Sequence, residues 1–119
     1  MFIRDLNDCD EFIAGDNTRL RELFNPLKDP LELRYSLAHA RLASGLESTA
    51  HRLRTSEVYY ILEGTGEMRI DGEIRNVGLG QAIYIPPHAV QSIRNTGNNE
   101  LVFICMVDPA WRPEDEEVL

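Results

Sequence analysis

An all-β fold, arranged as a double-sheet jelly roll, is what the sequence predicts, and three observations carry that reading. Short alternating apolar runs follow one another with turn residues between them, the pattern of strands buried on one face. Asp71-Gly72 sits between two such runs, and this dipeptide suits a tight hairpin because both central positions need positive φ. Little of the chain carries the apolar period of a long helix. Many short strands at such spacing favour two packed sheets.

The elements can be justified in order. Thr18 to Phe24 and Leu33 to Leu42 read as the first two clear strands, separated by the breakers Asn25-Pro26 and Asp29-Pro30. Glu57 to Leu62 is strand-like, with Tyr59, Tyr60 and Ile61 giving aromatic and β-branched bulk. Glu67 to Glu73 holds the Asp71-Gly72 turn. Gln81 to Ile85 stops at Pro86-Pro87, which cannot donate to a ladder. Val90 to Arg94 and Leu101 to Val107 read as a hairpin around Asn95-Thr96-Gly97-Asn98. The tail from Asp108 to Leu119 has two prolines and an acidic run, and reads as a solvated wrap anchored by Trp111.

At 119 residues the chain is expected to form one domain, with a core over residues 33–107, an amino-terminal arm over 1–32 and an acidic tail over 108–119. A chain of this size buries roughly two-thirds of its unfolded surface, so it needs no staples. Its 43% hydrophobic and 27% charged residues are those of an ordinary globular protein. Twenty acidic against twelve basic residues give a net charge of −8. Such a surface repels nucleic-acid phosphates and anionic lipid, which argues against both partners. No apolar run has the length of a membrane span, and Met1 to Asp5 shows no signal-peptide pattern, so a cytoplasmic location is expected. Cys9 and Cys105 have no metal-site spacing and are expected as free thiols.

Two stretches fit together. In the first, five residues separate Gly45 from His51, three separate Leu53 from Glu57, and six separate Glu57 from Gly64. The second runs from Gly80 to Asn95 and carries Pro86, His88 and Gln91. This pair resembles the two-motif signature of the cupin superfamily, whose fold is a double-stranded β-helix, or jelly-roll barrel. In that signature one glycine-bounded strand pair carries His-x-His-x3-Glu, and a later pair carries Pro-x-Gly-x-x-His-x3-Asn. Leu53 stands at the second histidine, His88 at the second motif's glycine, and Gln91 at the last histidine.

The resemblance implies a site inside the barrel. Family members hold one divalent metal with the histidines and glutamate of these motifs, and matching positions here are His51, Glu57 and Gln91. Leu53 cannot ligate, and the neutral amide oxygen of Gln91 is a poorer donor than imidazole for the softer metals. Two readings stay open at this point. In one, the three residues form a reduced site for iron, manganese, nickel or zinc with waters completing the shell. In the other, His51 and Glu57 are a buried hydrogen-bonded pair, Gln91 satisfies a neighbour, and there is no metal. Alternation puts Glu57, Tyr59 and Ile61 on one face, Gln91 and Ile93 on another, and Phe103, Cys105 and Val107 on a third. Leu53, Tyr59, Phe103, Cys105 and Ile93 are accordingly expected as pocket walls. His88, beside Pro87 at a turn near the barrel mouth, is a candidate gate or a solvated turn residue.

Two functional classes follow. One is a metal-dependent enzyme acting on a small organic molecule in an oxygenase-like or isomerase-like reaction, for which no catalytic residue is identified. The other is a binding barrel that holds a small ligand without metal or chemistry. A homodimer is expected, since short sandwiches leave strand edges to cover and Tyr35, Leu37 and His39 offer an outward contact.

Overall fold

Strand propensity and turn chemistry divide residues 1–119, all described by the computed structural model, into eleven strands. These are β1 (Phe12–Ile13), β2 (Arg19–Phe24), β3 (Ser36–Leu42), β4 (His51–Leu53), β5 (Ser56–Glu63) and β6 (Thr65–Ile70). They continue with β7 (Glu73–Gly78), β8 (Ala82–Ile85), β9 (Gln91–Asn95), β10 (Leu101–Asp108) and β11 (Glu116–Val118). The helical content is two single 3-10 turns, Leu6–Asp8 and Pro113–Asp115. No helix is long and apolar enough to cross a membrane.

One sheet has six strands in the order β1-β2-β3-β10-β5-β8, and the other has five in the order β11-β4-β9-β6-β7. Inward side chains from both sheets interdigitate between them. Ala40 and Leu42 of β3, Tyr59 and Ile61 of β5, Leu101 and Phe103 of β10, and Met68 and Ile93 of the opposing sheet form one continuous core. Alternation therefore sets the faces as the sequence suggests: Glu57, Tyr59 and Ile61 are buried, while Tyr60 between them is exposed. Outward on the six-stranded sheet, Leu37 pairs across to Met106 and His39 to Ile104.

Two glycines are demanded by the turns. Asp71 and Gly72 both have positive φ, 47° and 84°, and connect β6 to β7 as the dipeptide predicts. Gly64, at φ 87°, joins β5 to β6, and a Cβ there would stand 2.7 Å from the Glu100 carbonyl oxygen. Gly64 is required twice, by conformation and by space.

Three expectations are corrected. First, β9 and β10 are not a hairpin: β9 lies between β4 and β6, whereas β10 lies between β3 and β5 in the other sheet. The side chain of Asn95 makes the crossing possible, because its Nδ2 donates to Leu42 O and Asn99 O while its Oδ1 accepts from Gly97 N–H. Second, the tail is not a solvated wrap. Its β11 pairs with β4 (Glu116 with Leu53, Glu117 with Arg52, Val118 with His51), giving β4 a second neighbour. Trp111 anchors the approach, its backbone N–H donating to Ser36 Oγ and its indole N–H to Glu116 Oε2. Third, the amino-terminal arm adds a short hairpin, β1 with β2, ahead of the strand expected there.

Candidate functional site

The chain around His51 decides the site. On β4, His51 and Leu53 point inward and are buried, while Arg52 between them turns out to pair with Glu117. Glu57 and Tyr59 of β5 face them from the other sheet, with Phe103, Cys105 and Val107 of β10 beside them. The β1–β2 turn (residues 14–18) closes one side, and Trp111 and Glu116 close another. These walls enclose a cavity of about 150 Å³. An apolar cavity of about that volume holds a molecule the size of benzene.

A hydrogen-bonded chain runs through one wall. The Tyr59 hydroxyl donates to Gln91 Oε1 at 3.0 Å, and Gln91 Nε2 donates to Glu57 Oε1 at 2.9 Å. Both ends of the Gln91 amide are thus engaged, and the chain links β5 of one sheet to β9 of the other. Burial pushes the Glu57 carboxyl up to about 8, with the negative side chains of Asp16 and Glu116 adding to it and the Gln91 hydrogen bond opposing it. Burial thus favours the protonated form of the Glu57 carboxyl. Burial likewise pushes the Tyr59 hydroxyl and Cys105 thiol well above their ordinary ranges.

A second polar group faces the cavity from the opposite side. The Nδ1 of His51 lies 2.9 Å from Thr49 O, and since a carbonyl only accepts, Nδ1 carries the hydrogen. The other ring nitrogen, Nε2, stands 3.8 Å from Asp16 Oδ2 without a hydrogen bond between them. Asp16 is held rigidly, its Oδ1 accepting from the Thr18 N–H at 3.1 Å and the Thr18 hydroxyl at 2.7 Å. Its backbone carbonyl accepts from Thr49 N–H at 2.7 Å, so Thr49 positions both partners.

His51, Leu53, Glu57, Tyr59, Phe103 and Cys105 all line the cavity. Gln91, 1% exposed, stands behind Glu57 and Tyr59 and acts on the cavity through them. Ile93 is no cavity wall: fully buried, it packs into the core between the sheets, one pleat further along β9. His88 is exposed at φ 67° and lines a separate outer groove with Arg52, Arg54 and residues 114–117. It is not among the residues lining the cavity, and its backbone N–H donates to Leu53 O. Asp16, Thr18, Trp111 and Glu116 are cavity residues that the motifs do not contain. The one local signal among them is Asp16-Asn17-Thr18, an Asx-turn pattern before a strand.

The donor set implied by the motifs does not fit a metal. The Gln91 amide is engaged at both ends, its oxygen by Tyr59 and its N–H by Glu57, and Leu53 has no donor. No group of three or more His, Cys, Asp and Glu side chains converges on one point.

Comparison with known proteins agrees with this architecture. The Cupin domain family model matches residues 38–107. An uncharacterized protein of Methanocaldococcus jannaschii is 39% identical over 109 residues, 91% of this chain and 86% of that protein. Among solved structures, a Cupin 2 conserved barrel domain protein from Salinispora arenicola superposes with a TM-score of 0.79 at 20% identity, covering 96% of this chain and 91% of that one. The polyketide cyclase RemF from Streptomyces resistomycificus gives 0.81 at 19% identity, covering 100% of this chain and 85% of that one. At such identities the structures speak for the fold alone. With the barrel, the two glycine-bounded motifs and the family match in agreement, the chain belongs to the cupin family.

Proposed function

We propose that this cupin is a small-molecule-binding barrel that works without a resident metal. One observation carries the reading: the Gln91 amide bridges Glu57 and Tyr59, filling with hydrogen bonds the place where ligands would have to converge. The cavity offers a small, mainly apolar guest two polar features, His51 Nε2 with Asp16 Oδ2 beside it, and the Glu57 carboxyl, whose protonated form burial favours.

These features also favour a second reading, a proton-transfer isomerase. His51 Nε2 would take a proton from the bound molecule, and the Glu57 acid would return one at another atom. Two proton-carrying side chains facing one cavity are the requirement for that chemistry.

Untagged protein should carry far less than one equivalent of any transition metal by elemental analysis. Its melting temperature should not respond to a strong chelator. Stoichiometric metal, or a chelator-induced drop in melting temperature, would overturn the metal-free reading.

A further inference from the structure

We infer that the outward face of the six-stranded sheet docks a second copy of this chain, with β10 lying along the two-fold axis. This surface is outside the barrel and independent of what the cavity holds.

The two outer faces differ in composition. On the five-stranded sheet, outward side chains are charged and paired with one another: Arg52 with Glu117 across β4 and β11, Glu67 with Arg94 across β6 and β9, and Arg69 with Glu67. That face suits water. On the six-stranded sheet, two cross-strand rows run over β3, β10, β5 and β8. Leu37, Met106, Val58 and Tyr84 form one row, and His39, Ile104, Tyr60 and Ala82 form the other. Neither row holds a lysine, an arginine or a carboxylate. Its exposed members are large: Met106 is 39% exposed, Tyr60 46% and Tyr84 63%. A contiguous patch rich in tyrosine and methionine has the composition of an interface core.

The same patch indicates its occupant. A chain of net charge −8 repels its own copy over most of its surface, and these two rows are where that repulsion is missing. Cations stand at one end of the patch, where Arg21 of β2 opposes His39, and tyrosines stand at the other, on β5 and β8. A two-fold axis along β10 reverses the strand order. It sets β3 on β5 of the second copy and β2 on its β8. Ile104 and Met106 then meet their own counterparts, while Leu37 meets Val58 and His39 meets Tyr60. Arg21 Nε stands 3.6 Å from Glu11 Oε2 and makes no hydrogen bond. Its guanidinium arrives at the tyrosine end, and aromatic faces attract a cation. The patch is thus self-complementary, as an isologous contact requires.

The area also suits a dimer. Strands β2, β3, β10, β5 and β8 have 6, 7, 8, 8 and 4 residues. At about 4.8 Å between strands and about 3.3 Å per residue, they cover roughly 500 Å² of plane. Two copies bring about 1,000 Å² together before the relief of the side chains is added, the size a specific interface reaches.

The test is a charge swap on the axis, read by light scattering at micromolar protein. Wild type should show twice the 13.6 kDa chain mass. Met106→Asp and Met106→Lys each set like charges against each other, and each alone should weaken the dimer at least about a hundredfold. Mixed in equal parts, the two variants should pair again, with aspartate facing lysine. Tyr84→Ala, at the most exposed position of the patch, should weaken the wild-type dimer about tenfold with an unchanged melting temperature. A monomeric wild type would overturn the proposal, and one that sediments with phosphatidylcholine vesicles would give the face to a membrane instead. A dimer that survives all three substitutions would place the interface elsewhere. Folded Met106 variants that stay monomeric when mixed would remove β10 from the axis.

Discussion

Gln91 on β9 donates to Glu57 on β5 across 2.9 Å, so a single side-chain hydrogen bond ties one sheet of the barrel to the other beside the cavity. The same amide accepts from Tyr59, which makes Gln91 the centre of a three-residue clamp. Its removal leaves a buried carboxyl and a buried hydroxyl unpaired. Gln91→Leu should therefore destabilise the protein by about 2–4 kcal/mol, whereas Tyr59→Phe, which frees only one amide oxygen, should cost about 1 kcal/mol. Urea melts of the two variants check the ordering, and equal losses would mean that the clamp does not act as a unit.

Glu57 makes stability fall with pH. Its folded-state value near 8 stands above the ordinary 4.5, so the fold favours the protonated form. That contribution is complete below pH 4.5, declines as pH rises toward 8, and is gone above it. The slope is at most about 1.4 kcal/mol per pH unit. Glu57→Gln removes the titration. The variant's stability relative to wild type should thus climb between pH 5 and 8 and then level off. The depressed carboxyls of Glu11 and Asp29, held down by Arg41 and Arg4, are common to both proteins and cancel in the difference. A pH-independent difference between the two proteins would place the Glu57 carboxyl in the ordinary range.

Leu53 faces the cavity two residues after His51 on the same side of β4. Leu53→His puts a second imidazole there and should create a nickel-binding site. The variant should be less stable than wild type without metal, because a buried imidazole lacks a partner. It should gain melting temperature with nickel, while wild type does not respond. A nickel response of equal size in wild type would show that the native residues already bind metal.

The two glycines that bound the first motif differ in kind. Gly64 has a positive φ and no room for a Cβ, while Gly45, at φ 78°, has nothing within 4 Å. Gly45→Ala should cost about 1–2 kcal/mol, the price of the left-handed conformation alone. Gly64→Ala adds a clash with the Glu100 backbone and should cost clearly more. Thermal melts that ranked them in the opposite order would contradict the β5–β6 turn geometry.

The sequence made the faces of the sheets legible because alternation is a local property. Glu57 with Tyr59, and Phe103 with Cys105, turn to the cavity as their spacing says, and the Asp71-Gly72 turn forms where its dipeptide demands. Non-local features were hidden. The segment from Asn95 to Asn99 looks like a hairpin loop, and only the reach of the Asn95 side chain to Leu42 O reveals a change of sheet. Glu116-Glu117-Val118 has a composition poor in strand formers, and it is a strand because β4 needs a second neighbour. The role of Gln91 turned on which atoms its amide meets, and spacing carries no information about that. Asp16 escaped for a similar reason, since its partner His51 lies 35 positions away and the β1–β2 turn alone brings them together.

The pairing of β11 with β4 has a consequence for the order in which the protein comes together. β4 shares only one residue pair with β9, His51 with Gln91, and gains three with β11. During synthesis the chain carrying His51 emerges more than sixty residues ahead of the strand that flanks it, so both motifs can be in place while that edge is still bare. Contacts of such sequence separation close slowly, after local pairings have formed. Ligand binding should accordingly be the last property acquired on refolding, arriving after the β-sheet signal is complete. Pulse-labelling of the Leu119 and Arg54 amides, which donate to Ala50 O and Asp115 O across that seam, would time the closure.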